Sequence, residues 1–236
     1  MVDVGWSGVS RRRRSAGVLA SVVALLAARN VVETVLPDEA YVPTNVAVGA
    51  ALLALGRRSG SSWDDVGLDR RHVARGLTLG AAVGAVAVAG MVLGAAVPAT
   101  RGLFDDGRVP AGASGWERLY QTAVRIPVGT VAFEELAFRG VLLALLRRRL
   151  PLSAAVAVDS ALFGLWHIVP TLATARANDI AGPGRVALVI GSVVATTVGG
   201  VVFCALRVRG RHLLAPALLH LGFNDAGYLL AWWVRS

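Results

Sequence analysis

Long apolar runs separated by arginine-rich connections constrain the fold of this chain more than any other feature. A transmembrane helix needs about 20 mostly apolar residues to cross the roughly 30 Å hydrocarbon core of a bilayer. Seven runs approach this length, although the second is short and is interrupted by Pro43 and Asn45. They cover residues 15–36, 40–55, 73–97, 119–146, 152–173, 186–206 and 213–234. The sequence therefore predicts an all-α fold, a polytopic membrane helix bundle with about seven transmembrane helices.

The amino-acid composition excludes several other classes of protein. Of the 236 residues, 55% are hydrophobic and 17% are charged, whereas soluble domains average about 25% charged residues. An ordinary soluble enzyme and a disordered chain are therefore excluded, and the single cysteine, Cys204, excludes a disulfide-rich scaffold. Every cationic residue is arginine, which is typical of GC-rich coding DNA, and we therefore expect a bacterial protein.

The arginines predict the orientation of the chain, because cytoplasmic loops carry an excess of positive charge. Taken in order, one alternating set of connections holds fifteen arginines and the other set holds seven. The first set is Arg11–Arg14, Arg57, Arg58, Arg70, Arg71, Arg75, Arg147–Arg149, Arg207, Arg209 and Arg211, and the second is Arg29, Arg101, Arg108, Arg118, Arg176, Arg185 and Arg235. We therefore expect an inner-membrane protein with its amino terminus in the cytoplasm and its carboxyl terminus outside. These arginines are expected to contact membrane lipids and not nucleic acid.

The first span is expected to be a retained signal-anchor. Arg11–Arg14 followed by the apolar segment 16–28 also fits a signal peptide. Arg29 and Asn30 interrupt this run, however, and no clear cleavage site follows them.

The longest break in the apolar pattern covers residues 98–118. It contains Pro98, Pro110 and several glycines, all of which are typical of loops. We therefore divide the chain into a three-span leader, residues 1–118, and a four-span core, residues 119–234.

Polar side chains are concentrated in the last four spans. An ionisable residue inside a membrane helix costs roughly 2.5–3.5 kcal/mol on insertion scales, so it is a candidate for a functional site. The last four spans contain Arg125, Glu134, Glu135, Arg139, Asp159, His167, His220, Asn224 and Asp225. At a rise of about 1.5 Å per residue, the polar groups of three of these spans reach the middle or the cytoplasmic half of the bilayer. We therefore expect them to meet in one site.

Helical spacing predicts which of these side chains share a face. Glu135 and Arg139 are four residues apart, in the order that favours an ion pair. Glu134 points about 100° away from Glu135 and is free to face another helix. The pairs His220 with Asn224 and Phe163 with His167 also lie four residues apart. Asp159, Asp225 and Arg125 fit no such pair, and the two acids are expected to cap a helix end or to contact water.

A carboxylate and two imidazoles in a pocket with little water are sufficient to activate a water molecule for hydrolysis. The second histidine, together with an amide, can donate hydrogen bonds to an oxyanion that develops on a carbonyl. Glu134, His167 and His220 are also possible zinc ligands, although no H-E-x-x-H pair is present. Both a metal-free site and a zinc site therefore stay open at this point.

Three short motifs in the core resemble those of the CPBP family, the CAAX protease and bacteriocin-processing group of intramembrane proteins, also called abortive-infection-like. Residues 133–140, FEELAFRG, match its E-E-x-x-x-R motif. Residues 163–167, FGLWH, match F-x-x-x-H, and residues 220–224, HLGFN, match H-x-x-x-N/D. Each motif is short, but all three occur in order and each lies on a predicted span. The resemblance covers residues 119–234 and leaves the leader outside it.

The resemblance implies a membrane-embedded endopeptidase related to the type II CAAX prenyl endopeptidases. Glu134 and His167 would then activate the attacking water, and His220 and Asn224 would stabilise the oxyanion. Glu135 and Arg139 would support the site, with the Phe163 ring beside His167. The resemblance favours a glutamate-type mechanism without a cofactor. The substrate would be a peptide or a membrane protein.

Two other classes of function are compatible with the same residues. A non-catalytic bacteriocin-immunity or membrane scaffold protein would retain the motifs for folding, and a small transporter or proton channel would use the buried acids. Prenylated CAAX proteins are largely eukaryotic, so we do not expect prenyl processing in a bacterial chain. Bacteriocin maturation, self-immunity and cleavage of a membrane regulator are the remaining roles for a protease.

Overall fold

The computed structural model describes the backbone of residues 6–236 and the side chains from residue 16 onward. Arg11–Arg14, which contribute to the predicted orientation, lie outside the described side chains. The described chain is helical and contains no strand, which confirms the all-α prediction. We label its long helices α1 (Trp6–Val32), α2 (Tyr41–Arg58), α3 (Val73–Ala96), α4 (115–147), α5 (Leu152–Trp166), α6 (Ile168–Ala177), α7 (Gly182–Gly210) and α8 (Leu214–Arg235).

Five segments of the described chain are long and apolar enough to cross a membrane. They are Ala16–Val35, Asp38–Arg58, Arg70–Ala96, Leu152–Ala177 and Gly182–Gly210. The short second run is among them, so that prediction is supported. Helices α4 and α8 are not among them, and both carry the polar residues described above. The predicted total of about seven spans is therefore not confirmed.

Helix α4 is one continuous helical path with unusual geometry. Its segments Gln121–Ala132 and Leu136–Leu142 are π-helical, and they flank a single α-helical turn, Phe133–Glu135. Pro127 lies inside the first π-helical segment, where it cannot donate a backbone hydrogen bond. π-Helical geometry is rare and is frequently found at functional sites. The two adjacent glutamates therefore lie on the regular turn between two widened segments.

The predicted single span over residues 152–173 is two helices with a break at His167. Helix α5 ends at Trp166 and α6 begins at Ile168, and His167 has φ −80° and ψ −2°. Pro170 follows three residues later, and its missing N–H is tolerated in the first turn of the new helix. The break places His167 at a junction between two helices.

Three glycines on one face of α3 allow close packing against the start of α8. A Cβ atom at Gly80 would lie 2.6 Å from the Leu214 carbonyl oxygen, and one at Gly84 would lie 3.0 Å from the Leu218 carbonyl oxygen. Gly76 packs in the same way against His212. Small residues at such spacing let two helix backbones approach closely in a membrane. Helix α3 of the leader is therefore the close neighbour of a helix of the core.

Two arginines that were assigned to loops are instead buried and paired. Arg29 is 3% exposed and lies within α1, where it contacts Asn45 of α2. Arg207 is 5% exposed and donates to the carbonyl oxygens of Asp64 and Asp65. Their hydrogen bonds make the burial of a charged group possible, and the charge count alone does not detect them.

The hydrophobic core surrounds the middle of α4. Phe138, Val141 and Leu142 of this helix are fully buried, and the leader contributes Val22 and Leu52 to the same cluster. The remaining members with the lowest exposure are Ala137, Leu143, Leu145, Ala155, Phe163, Cys204 and Ala215. The E-E-x-x-x-R segment therefore lies at the centre of the molecule.

Candidate active site

Glu134 and Glu135 are both buried, at 6% and 1% exposure. The Oε1 atom of Glu134 accepts a 3.0 Å hydrogen bond from the indole nitrogen of Trp166 at the end of α5. Its Oε2 atom is buried and has no hydrogen-bond partner. A buried carboxylate oxygen without a hydrogen-bond partner is energetically costly. Such an atom is therefore characteristic of a site that binds a ligand or reacts with a substrate.

His220 of α8 lies between the two carboxylates. Its Nδ1 atom is 2.8 Å from Oε1 of Glu135, and its Nε2 atom is 3.7 Å from Oε2 of Glu134. The imidazole stacks on Phe203 at a centroid distance of 5.0 Å and meets the Phe163 ring edge-on at 6.0 Å. Because a carboxylate can only accept, Nδ1 donates to Glu135, and this bond fixes the orientation of the ring.

Arg139 is fully buried below this pair of carboxylates. Its Nη1 atom lies 3.4 Å from Oε1 of Glu135, which is the contact that the four-residue spacing predicts. Its Nε atom lies 3.8 Å from Oδ2 of Asp159, and its guanidinium carbon lies 3.9 Å above the Phe163 ring. The planar guanidinium therefore combines ion pairing with stacking, which a lysine ammonium does not do.

Asp159 was expected at a helix end or in contact with water, and this expectation is wrong. It lies midway along α5 and is 0% exposed. Its Oδ2 atom faces Arg139 and accepts a 3.2 Å hydrogen bond from the thiol of Cys204. The acid thus provides the second counter-charge for the buried guanidinium. An acidic residue inside an apolar span was the only signal in the sequence, and it did not identify these partners.

His167 contributes a ring nitrogen beside the same aromatic cluster. Its Nδ1 atom lies 2.7 Å from the carbonyl oxygen of Phe163, and the two rings meet edge-to-face at 4.6 Å. A carbonyl oxygen can only accept, so Nδ1 carries the proton and Nε2 of the neutral ring is an acceptor. Within the described residues no hydrogen bond or ion pair joins His167 to Glu134; the preceding residue, Trp166, makes that contact.

Among the described residues, Asn224, Asp225 and Arg125 make no hydrogen bond or ion pair with this cluster. Asn224 follows His220 by one helical turn, and its Nδ2 atom is buried without a partner. Asp225 is half-buried, and its Oδ1 atom also lacks a partner. Arg125 contacts Asp38 and the Tyr41 ring of the leader.

An apolar groove of about 170 Å³ runs beside Trp166, between α1 and α5. Its walls include Phe138 of α4 and Leu162 of α5. On the leader side, the amide of Asn30 lines the groove and donates a 3.0 Å hydrogen bond to the Trp166 carbonyl oxygen. The tryptophan that contacts Glu134 is therefore also held by the first helix of the leader.

Glu134, His167 and His220 are the side chains that a zinc ion would use in the alternative mechanism. Among the described residues, no set of three or more His, Cys, Asp or Glu side chains is positioned to hold a metal ion. The hydrogen bonds of His167 to Phe163 and of His220 to Glu135 use one nitrogen of each ring within the protein.

Comparison with known proteins identifies the segment that carries this site. None of the curated proteins and none of the solved structures compared with the chain is similar enough to count as a match. A family model does match, and it covers residues 116–225, which contain all three motifs. The leader lies almost entirely outside the matched segment. Residues 116–225 thus match the family described as Type II CAAX prenyl endopeptidase Rce1-like, which confirms the resemblance that the motifs indicated.

Proposed function

We propose that this integral membrane protein is a glutamate-type endopeptidase that hydrolyses a peptide bond within or beside the bilayer. The family match indicates a membrane protease in general, and the cleavage chemistry is our proposal. The observation that carries it is the buried Oε2 atom of Glu134, which lacks a partner and faces His220. A free carboxylate oxygen beside an imidazole is suited to take a proton from water.

Glu134 and His167 are proposed to activate the attacking water. Oε1 of Glu134 is occupied by the Trp166 indole, so Oε2 is the atom that would accept the proton. His167 holds its own proton on Nδ1, which leaves Nε2 able to accept a hydrogen bond from the same water. The indole and the Phe163 carbonyl therefore orient two bases without blocking their reactive atoms.

His220 and Asn224 are proposed to stabilise the oxyanion of the tetrahedral intermediate. Oxyanion stabilisation requires donors, and the buried Nδ2 atom of Asn224 has no other hydrogen-bond partner. His220 already donates from Nδ1 to Glu135, so donation from Nε2 requires the imidazolium form. Glu135 and Arg139 are positioning residues, since they contact His220 and the aromatic cluster.

The apolar groove beside Trp166 is proposed to hold the substrate. Its walls are mostly aliphatic and aromatic, which suits a hydrophobic peptide or the helix of a membrane protein. It borders the tryptophan that contacts Glu134, so a bound segment would lie next to the proposed general base.

The decisive experiment measures cleavage of membrane peptides by the purified protein and by Glu134→Gln. Glutamine retains an oxygen that can accept the Trp166 hydrogen bond but cannot act as a base. We therefore expect peptide cleavage to fall by about 10²–10⁴-fold while the melting temperature stays close to that of the wild type. Glu39→Gln, a substitution of an exposed glutamate, is the matched control and should retain full activity.

The same assay separates the alternatives. A scaffold or immunity protein would keep its cellular function in Glu134→Gln at normal expression, and this result would contradict the proposal. Activity that is lost in EDTA and restored by zinc would replace the metal-free mechanism with the zinc-dependent one. Comparative peptidomics of membranes that contain the wild type or Glu134→Gln would then identify the substrate.

The proposed location is the bacterial inner membrane, with the amino terminus in the cytoplasm and the carboxyl terminus outside. The excess of arginine in one set of connections supports this orientation. Fusions of a reporter enzyme that is active only outside the cytoplasm test this orientation. A fusion at Ser236 should be active, and a fusion at Ser59 should be inactive. The opposite result would reverse the orientation and leave the proposed chemistry unchanged.

A further inference from the structure

A second pocket, of about 320 Å³, lies where α1 and α2 of the leader meet α4 and α6. Its polar walls are formed by three arginines, two acids and a tyrosine: Arg29, Arg125, Arg176, Glu33, Asp38 and Tyr41. Most of these residues belong to the leader or lie before the E-E-x-x-x-R motif. None of the proposed catalytic residues lines this pocket, although Val169 and Pro170 of its wall follow His167 closely in the chain.

Two guanidinium groups contact the same tyrosine ring in this pocket. The guanidinium carbon of Arg125 lies 4.4 Å from the Tyr41 ring centroid, and that of Arg29 lies 5.5 Å from it. The Tyr41 hydroxyl lies 2.9 Å from the Thr130 hydroxyl of α4. Cation–π contacts with an anchored ring hold the two cations close to each other in spite of their repulsion.

Both guanidinium groups retain buried nitrogens that have no hydrogen-bond partner. Arg29 is 3% exposed; its Nε atom donates to Asn45, and its Nη1 atom lies 3.2 Å from Glu33. The Nη2 atom of Arg29 and the Nε atom of Arg125 are buried and unpartnered. Buried charged donors normally find acceptors, so these two nitrogens indicate that an acceptor from outside the chain completes the site.

The charge and the lining of the pocket indicate the chemistry of that acceptor. Three arginines face two carboxylates, which leaves a net positive pocket. Guanidinium groups match the geometry of phosphate oxygens and bind them with short, charge-assisted hydrogen bonds. The apolar residues Leu36, Val169 and Leu172 line the same pocket, so an amphiphilic ligand with a phosphate head also finds apolar contacts.

We propose that this pocket binds a phosphate group, presented by the headgroup of an anionic phospholipid or as free phosphate. Arg29 and Arg125 form the binding pair, and the exposed Arg176 adds a third positive charge at the surface. The ligand links α1 and α2 of the leader to α4, which carries Glu134 and Glu135.

The test is a ligand titration of the purified full-length protein in a non-ionic detergent. The melting temperature of the protein is measured at each ligand concentration. The additions are sodium phosphate, sodium chloride at equal ionic strength, short-chain phosphatidylglycerol and a diacylglycerol without phosphate. A ligand that binds only the folded protein raises the melting temperature, and above the Kd this rise grows with the logarithm of the ligand concentration. A rise with phosphatidylglycerol alone identifies the lipid headgroup, and a rise with inorganic phosphate as well shows that the free anion suffices. No rise with either, or an equal rise with diacylglycerol, overturns the proposal.

Arginine variants test whether the rise in melting temperature depends on this pocket. Arg125→Gln and Arg176→Gln should each weaken the binding of the effective ligand, with Arg125→Gln raising the apparent Kd by about tenfold or more. Arg185→Gln replaces an exposed arginine outside the pocket and should leave the Kd unchanged. Both pocket variants keep the fully buried Arg29, so they remain informative even where Arg29→Gln does not fold. An unchanged Kd in Arg125→Gln would also overturn the proposal.

Discussion

The leader and the core both bury polar side chains, but they use them differently. In the leader, Asn45 bridges Arg29 and the Gly129 carbonyl oxygen, and Asn30 donates to the Trp166 carbonyl oxygen, so these groups link helices. Both regions also keep buried polar atoms without a partner, for example Nη2 of Arg29 in the leader and Nδ2 of Asn224 in the core. Among the described residues, however, the buried carboxylate oxygens without a partner all belong to the core, in Glu134, Glu135, Asp159 and Asp225. Only a carboxylate among these groups can act as a base, so the comparison assigns the reactive groups to the core.

The largest effect that this comparison predicts for stability is at Arg139. Arg139→Leu removes the buried cation and leaves Glu135 and Asp159 as uncompensated carboxylates, so we expect a loss of about 3–5 kcal/mol in the free energy of unfolding. Arg58→Leu, a substitution of an exposed arginine at the end of α2, is the control. Chemical or thermal unfolding in detergent measures both. Equal stability of the two variants would show that the charges of the core are not coupled as described.

A medium effect is expected at the contact between the two regions. Gly80→Ala places a Cβ atom 2.6 Å from the Leu214 carbonyl oxygen, so α3 and α8 must separate, at a cost of about 1–3 kcal/mol. Gly90→Ala lies on the same helix with nothing within 4 Å and controls for helix propensity. The quantity to compare is the difference in unfolding free energy between the two alanine variants. If Gly80→Ala is as stable as Gly90→Ala, the leader is not packed tightly on the core.

A smaller effect is expected at Asn30, and it concerns activity. Asn30→Leu removes the hydrogen bond to the Trp166 carbonyl oxygen, worth about 1 kcal/mol, and loosens the residue that orients Glu134. We expect kcat to fall about fivefold, together with a change in KM because Asn30 also lines the groove proposed for the substrate. Asn30→Gln, which retains a donor, should recover part of the loss. A rise in KM without a change in kcat would mean that Asn30 contacts the substrate and does not position the site.

The smallest effect is a pH dependence of stability at His212, between α7 and α8. Burial and the nearby charge of Arg207 lower the pKa of His212 below its ordinary value, and its Nδ1 atom accepts the backbone N–H of Leu214. The unfolded chain binds the proton more readily, so stability is lost as the pH falls below about 6.5. His212→Asn can accept the same hydrogen bond but does not titrate. The melting temperature of the wild type should therefore fall more than that of His212→Asn between pH 7 and pH 5, and parallel curves would refute this role.

The sequence predicted those features of the site that depend on local spacing. The contact between Glu135 and Arg139 follows from their separation of four residues, and the three motifs identified helices that do meet. The hydrogen bond between Trp166 and Glu134 and the contact between Asp159 and Arg139 were not predicted, because they join residues on different helices.

The pattern of apolar residues also did not predict two features of the backbone. The break at His167 occurs inside an uninterrupted apolar run, and Pro170 was its only signal. The packing of α3 on α8 depends on where Gly80 and Gly84 face, and a glycine-rich run does not specify its partner.

The two π-helical segments of α4 make the orientation of the active-site glutamates depend on the number of residues in that helix. An α-helix turns by about 100° per residue and a wider π-helix by less, so deleting one residue from Gln121–Ala132 would still rotate the Glu134–Glu135 turn strongly against the preceding part of the helix. The two glutamates could then no longer face Trp166 and His220 while Arg125 faced Tyr41. We therefore expect the length of this segment to matter as much as its side chains, so that a substitution within it is tolerated more easily than a deletion.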